Sequence, residues 1–235
     1  RMKEKTQAQI ASLTQTRDIL VKLRAALKNK VNHILSAHGI PLAKEALSRE
    51  KKLDEVLAMR FDPMIRIERK VIVDQIRRLN ESIAELEKTI AEEGQKLPGH
   101  KNLTSIKGIG PLTGSILLSV LGNIHDFAEE GKLAAYFGIV PRVSNSNETE
   151  RSGRITKRGS KLGRTALVPC ALIAQAQRYS PYLKKFYEKT KARRGTGKAI
   201  IALARKLLGI IYRTLKNNWV FEDFPNFVLA EEATA

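Results

Sequence analysis

The chain has 235 residues, a formal net charge of +18 and 43% hydrophobic residues. That is enough for a sizeable core in one or two domains, and the charge suits a polyanionic partner, of which nucleic acid is the commonest. A single cysteine, Cys170, excludes an internal disulfide framework. The four histidines, His33, His38, His100 and His125, lack metal-ligand spacing, and no apolar run reaches the ~18 residues of a membrane helix. No signal-peptide pattern opens the chain, which predicts a cytoplasmic protein.

Residues 3–36 read as one long helix. Ile10, Leu13, Leu20, Leu27, Val31 and Ile34 recur at alternating spacings of three and four, with Arg17 and Arg24 in the same seam. Gly39-Ile40-Pro41 stops it. One or two shorter helices are expected over 42–61. From Asp62 a second long helix carries Ile72, Ile76, Leu79, Ile83, Leu86 and Ile90, again in heptad spacing, and Gly94 is expected to end it. Two helices of roughly 30 residues, each about 45 Å long, predict an antiparallel coiled-coil arm over 1–96. Such an arm serves assembly, so a homo-oligomer (dimer or tetramer) is expected.

Leu97-Pro98-Gly99 marks a boundary to a compact helical domain over 97–235. Ile106-Lys107-Gly108-Ile109-Gly110-Pro111 has the character of a helix-hairpin-helix motif. Gly108 and Gly110 would bring backbone close to a phosphate, and the free amides of the helix opened by Pro111 would hold the anion. The plainer reading is a tight turn used only for packing. A short helix capped near Asp126 should bury Phe127, Leu133, Ala134 and Phe137 and stop at Gly138.

Pro141–Arg164 is polar and dense in hydroxyls and guanidiniums. Ser144, Ser146, Ser152 and Ser160 lie among Arg142, Arg151, Arg154, Lys157, Arg158, Lys161 and Arg164. A hydroxyl that attacks phosphorus needs cations to hold the negatively charged target, and a solvated basic loop that merely touches nucleic acid is the alternative. Val143 and Ile155 could lie on a small β-hairpin. Beyond it, 162–179 reads as an apolar helix containing Pro169, with Cys170 as a small core residue. Ser180-Pro181 should cap and open a helix to about 191. There Tyr182, Phe186 and Tyr187 interleave with lysines, at a spacing that suits either a core or base stacking. KARRGTGK, 191–198, lacks P-loop spacing, which excludes nucleotide hydrolysis. A last helix, 197–217, should bury Ile200, Ala204, Leu207, Leu208, Ile211 and Leu215, and 218–235 should form a peripheral tail. Between Tyr136 and Lys216 there are 19 Lys or Arg against 3 acidic residues, so the polyanion footprint lies in this half.

Three stretches together resemble the C-terminal part of DEDD-type insertion-sequence transposases, the family of the Piv invertases and the bridge-RNA-guided recombinases. They are the arm ending in ILSAHGIPL; IKGIGPLTGSILLSVLG followed by LAAYFGIVPR; and GRITKRGSKLGRTAL leading to GKAIIALARKLLGIIYRTL. They cover nearly the whole chain in the family's order. The resemblance implies a mainly α fold and a DNA transposase or site-specific recombinase, nucleoid-associated, with DNA and a structured guide RNA as partners. It implies a catalytic serine in the loop, placed at Ser146, where Asn147 stands in place of the usual glycine; Ser144 and Ser152 are the alternatives. Arg142, Arg151, Arg154, Lys157, Arg158 and Arg164, with Gly108 and Gly110, would contact DNA. Magnesium is expected on a RuvC-like domain that family members carry N-terminally, and the abrupt start at Arg1-Met2-Lys3 suits a piece following such a domain. No metal site is expected within this chain. A non-catalytic nucleic-acid-binding and dimerisation module is the competing reading.

Overall fold

A computed structural model describes residues 4–43, 45–146, 149–176 and 178–221, and for 143–154 the backbone alone. The fold is mainly α. Its helices are α1 (Lys5–Ala37), α2 (Glu50–Ala58), α3 (Pro63–Gln95), α4 (His100–Ser105), α5 (Pro111–Leu121), α6 (Glu130–Tyr136), α7 (Lys161–Ala174), α8 (Pro181–Arg194) and α9 (Thr196–Lys216). Strands β1 (Pro141–Ser146) and β2 (Thr149–Ile155) pair antiparallel between α6 and α7. The chain divides into two compact units, one of residues 13–89 and one of 1–12 with 90–235.

In the unit of residues 13–89, Arg17 reaches Glu87 at 2.8 Å, Arg24 reaches Asn80 at 2.9 Å, and Lys30 reaches Glu68 at 3.0 Å. Rising numbers on α1 meet falling numbers on α3, so the two helices run antiparallel. The two seam arginines thus bond across to α3. The core collects where α1, α2 and α3 meet: Val31, Ile34 and Leu35, Leu53 and Val56, and Ile72, Val73 and Ile76. Helix α1 ends where Gly39 takes φ 74° and the Ile40 amide returns to the Leu35 carbonyl at 3.0 Å, a left-handed cap that glycine adopts freely. Helix α3 begins where the Asp62 carboxylate accepts from the amides of Met64 and Ile65. Arg69 is fully buried beneath α2, donating to the carbonyls of Val56 and Met59 and lying 4.1 Å over the Phe61 ring.

The second unit is built round α9, which packs against α4, α6, α7 and α8. Of the expected stripe Ala204, Leu207, Leu208 and Ile211 are buried and Ile200 and Leu215 half-buried, and burial extends past it to Leu203, Gly209, Ile210, Tyr212 and Thr214. An amphipathic pattern reports one buried face, whereas a helix surrounded on several sides buries more. Three other expectations are corrected. Gly94 lies within the last turn of α3 as a point of close packing, where a Cβ would stand 1.9 Å from Ser115 Oγ. The short helix starts at Glu130, and Asn123, not Asp126, caps the 3₁₀ turn before it. Helix α7 ends at Ala174, short of the expected 179. Of the expected tail, Phe221 is buried, its amide donating to Ser105 Oγ at 2.9 Å, and the Trp219 carbonyl accepts from Asn102 at 2.6 Å. Residues 222–235 lie outside the described chain. Among the described residues no helix is long and apolar enough to cross a membrane.

Candidate nucleic-acid interface

The loop of Pro141–Arg164 is anchored at its base by backbone. Helix α6 closes with Gly138 at φ 66°, and the Ile139 amide returns to the Ala134 carbonyl at 3.1 Å. The chain leaves through Val140 into β1 and comes back along β2. On its return the amides of Thr156, Lys157 and Ser160 donate to the carbonyls of Val140, Gly138 and Tyr136 at 2.9, 3.1 and 3.0 Å. Gly159 makes this closeness possible, because a Cβ there would stand 2.0 Å from the Tyr136 carbonyl oxygen. Arg164 fastens the same corner, its Nη1 donating to the carbonyls of Phe137 at 2.8 Å and Gly159 at 2.9 Å. Ser160 Oγ accepts from the Gly163 amide at 3.1 Å and caps α7. A Cβ on Gly163 would in turn stand 2.6 Å from the Phe137 ring.

Ser146 is the last residue of β1, in register with Thr149; Ser144 is opposite Arg151, and Ser152 opposite Val143. The register is irregular between Pro141 and Val143. The side chains of Ser144, Ser146, Ser152, Arg151 and Arg154 lie outside the described part. Arg142, Lys157 and Arg158 are exposed, as is Lys161 on the first turn of α7. Among the described residues no carboxylate pairs with these four. Lys157 adopts φ 55°, a conformation that non-glycine residues enter only at a cost. The geometry thus separates two roles within the basic set: Arg164 holds the corner, while Arg142, Lys157, Arg158 and Lys161 face solvent.

The two glycines before α5 separate in the same way. Gly108, at φ 102°, abuts α7, where a Cβ would meet the Cys170 carbonyl at 2.9 Å and the Ala174 amide at 3.0 Å. Gly110 has nothing within 4 Å of a Cβ position and N-caps α5 beside the exposed Lys107. Cys170 is a core residue: burial pushes its thiol up to about 11, and it donates to the Ala166 carbonyl. His100 is buried against the Pro111 carbonyl and Ser115. No group of three or more His, Cys, Asp or Glu able to hold a metal occurs among the described residues.

Farther along, Ser180 Oγ accepts from the Leu183 amide at 3.0 Å and caps α8. Lys206 Nζ lies 4.5 Å and 4.6 Å over the rings of Tyr182 and Phe186 and donates to Tyr182 Oη at 2.7 Å. These rings are therefore engaged by a cation of their own unit. Sequence reading found the aromatics but not their partner, which lies on a different helix.

Residues 100–188 match the model of the "Transposase IS116/IS110/IS902 family". The chain is 29% identical over 218 residues to the transposase for insertion sequence element IS1111A of Coxiella burnetii, covering 89% of this chain and 59% of that protein. It is 30% identical over 208 residues to the pilin gene-inverting protein of Moraxella lacunata, covering 86% of this chain and 59% of that one. A probable family 20 transposase of Pseudomonas aeruginosa is 26% identical over 221 residues, covering 91% and 65%. The chain thus spans about three-fifths of the length of these curated relatives. The matched region contains α4, α5, the anchored loop and α7, and these matches support an insertion-sequence transposase of the Piv-like family.

Proposed function

We propose that this chain is the strand-exchange part of a DNA transposase or site-specific recombinase, with Ser146 as its nucleophile. The observation that carries the reading is the anchored loop. It lies inside the region matched by the transposase family, and its ends are fixed by backbone bonds and by Arg164. Fixing both ends of a loop lowers the ordering cost of bringing the residues between them to a partner. In this reading Ser146 Oγ bonds to the phosphorus of a DNA phosphodiester, and the bond from phosphorus to one deoxyribose oxygen breaks. The hydroxyl proton is lost, and the departing oxygen gains one. The serine phosphodiester keeps the bond's energy, so strands are exchanged and resealed without nucleotide hydrolysis. Arg142, Arg151, Arg154, Lys157 and Arg158 hold phosphates and offset charge in the transition state. Gly110 and the start of α5 hold backbone and leave bases unread, while Gly108 sets the turn and Arg164 the loop.

Among the described residues no group of three or more His, Cys, Asp or Glu could hold a metal ion. Magnesium belongs, in this proposal, to a RuvC-like domain outside this chain. A structured guide RNA and a homo-oligomer formed through the α1–α3 arm are further parts of it.

The test is a suicide DNA substrate incubated with the transposase that contains this chain, with magnesium. A covalent adduct mapping to Ser146 is expected. Ser146→Ala should abolish adduct and cleavage while leaving DNA binding intact, and Ser144→Ala and Ser152→Ala should retain the adduct. Normal recombination by the Ser146→Ala protein would refute the assignment. No adduct on any serine would favour a binding and dimerisation module without chemistry of its own.

A further inference from the structure

Helices α8 and α9 form a tight hairpin around Gly195, whose φ of 79° allows one residue to join them. From Pro181 to Lys206 there are nine Lys or Arg and one acidic residue, Glu188. Lys185, Lys189 and Arg193 stand at i, i+4 and i+8 on α8 and are all exposed, a row with about 6 Å of rise between members. Arg194 and Lys198 continue the exposed charge across the turn. Glu188 lies 3.9 Å from Lys191. Among the described residues no carboxylate pairs with Lys185, Lys189, Arg193, Arg194 or Lys198. This ridge stands on different elements from the anchored loop, and from Lys189 onward it lies beyond the family-matched region.

We infer that the α8–α9 ridge is a second nucleic-acid surface, one that grips the sugar-phosphate backbone of duplex DNA without reading sequence. A row of cations with no carboxylate partner among the described residues suits a row of phosphates. Duplex is favoured over single strand because a single strand is held by stacking its bases on free aromatic faces. The rings nearest the ridge, Tyr182 and Phe186, carry Lys206 instead. The choice of DNA over RNA rests on the transposase reading above.

The experiment compares the chain with Lys185→Gln/Lys189→Gln/Arg193→Gln/Arg194→Gln. A control, Lys22→Gln/Arg60→Gln/Arg66→Gln/Lys70→Gln, removes the same charge from exposed positions of the 13–89 unit. Anisotropy titrations use a random-sequence DNA duplex, the matching single strand and an RNA duplex across a salt series. Each lost phosphate contact makes the log–log salt slope shallower by about 0.9 on B-DNA. The ridge variant should therefore lose about 3–4 units of slope on duplex DNA, with an unchanged helical circular dichroism spectrum, and the control should keep the wild-type slope. An unchanged slope in the ridge variant, an equal loss in the control, or tighter wild-type binding to the single strand or the RNA duplex would overturn the inference. Failure of the transposase reading shows separately, as absence of a serine adduct while the ridge effect on DNA persists.

Discussion

Gly159 and Gly110 look alike in sequence, each within three residues of a basic side chain and each opening toward a helix, yet the fold uses them in opposite ways. At Gly159 a methyl group would overlap the Tyr136 carbonyl and the Gly138 amide, which lies 2.5 Å away, and backbone cannot swing aside as a side chain can. Gly159→Ala must therefore open the corner that joins α6 to α7, at an expected cost of about 2–4 kcal/mol. Gly110 has φ −83° and open space around it, so Gly110→Ala should change stability by less than about 1 kcal/mol. Urea denaturation of the two variants checks the contrast. Equal effects would show that the corner is not held by this close approach. The α5 start keeps its backbone amides in the Gly110 variant, so binding to phosphate should also survive there.

Helix α2 is nine residues long, shorter than a helix that persists alone in water, so its stability must come from its neighbours. Leu53 and Val56 supply apolar contacts, Arg77 of α3 pairs with Glu50 and Asp54, and Arg69 of α3 donates to two carbonyls at the C-terminal end of α2. Burial lowers the Arg69 pKa, and its Nε finds no partner, so this cation is held by carbonyls and the Phe61 face rather than by a carboxylate. Arg69→Met keeps much of the apolar stem and leaves two carbonyls without their donor. It should cost roughly 2–4 kcal/mol in denaturant unfolding of the 13–89 unit, and a variant as stable as wild type would remove Arg69 from the account. The heptad spacings on α1 and α3 made both long helices legible in advance, Gly39 marked the end of α1, and Ser180-Pro181 marked the start of α8. The role of Arg69 was not legible. Nothing in a local window distinguishes it from the exposed Arg66 and Lys70 beside it, because its partners lie 13 and 10 residues back, across a turn. Gly94 misled for the same reason: a helix-stopping glycine and a glycine that admits a neighbouring helix are the same letter.

At the scale of the whole chain, charge was the most legible property and local geometry the least. The basic excess between Tyr136 and Lys216 was countable, but its division was not. One part fixes the loop (Arg164), one faces solvent beside the loop (Arg142, Lys157, Arg158, Lys161), one engages aromatics (Lys206), and one runs along α8. Only spatial partners separate these parts. The same distribution sets what the chain can do alone. It is rich in groups that attract and hold phosphate, and the described residues gather no carboxylates or histidines into a metal-binding group. A serine hydroxyl is a weak nucleophile without a base or metal to activate it. The 235-residue chain with magnesium should therefore bind duplex DNA with a steep salt dependence and yet leave it uncut. Cleavage should appear only when a domain bearing acidic metal ligands is supplied, in the same polypeptide or in another subunit. The check is a denaturing gel of end-labelled duplex after incubation with the chain and magnesium. Metal-dependent nicking by the chain alone, abolished by EDTA and retained through repurification, would show that the activating groups lie within these residues and would end the composite-site proposal.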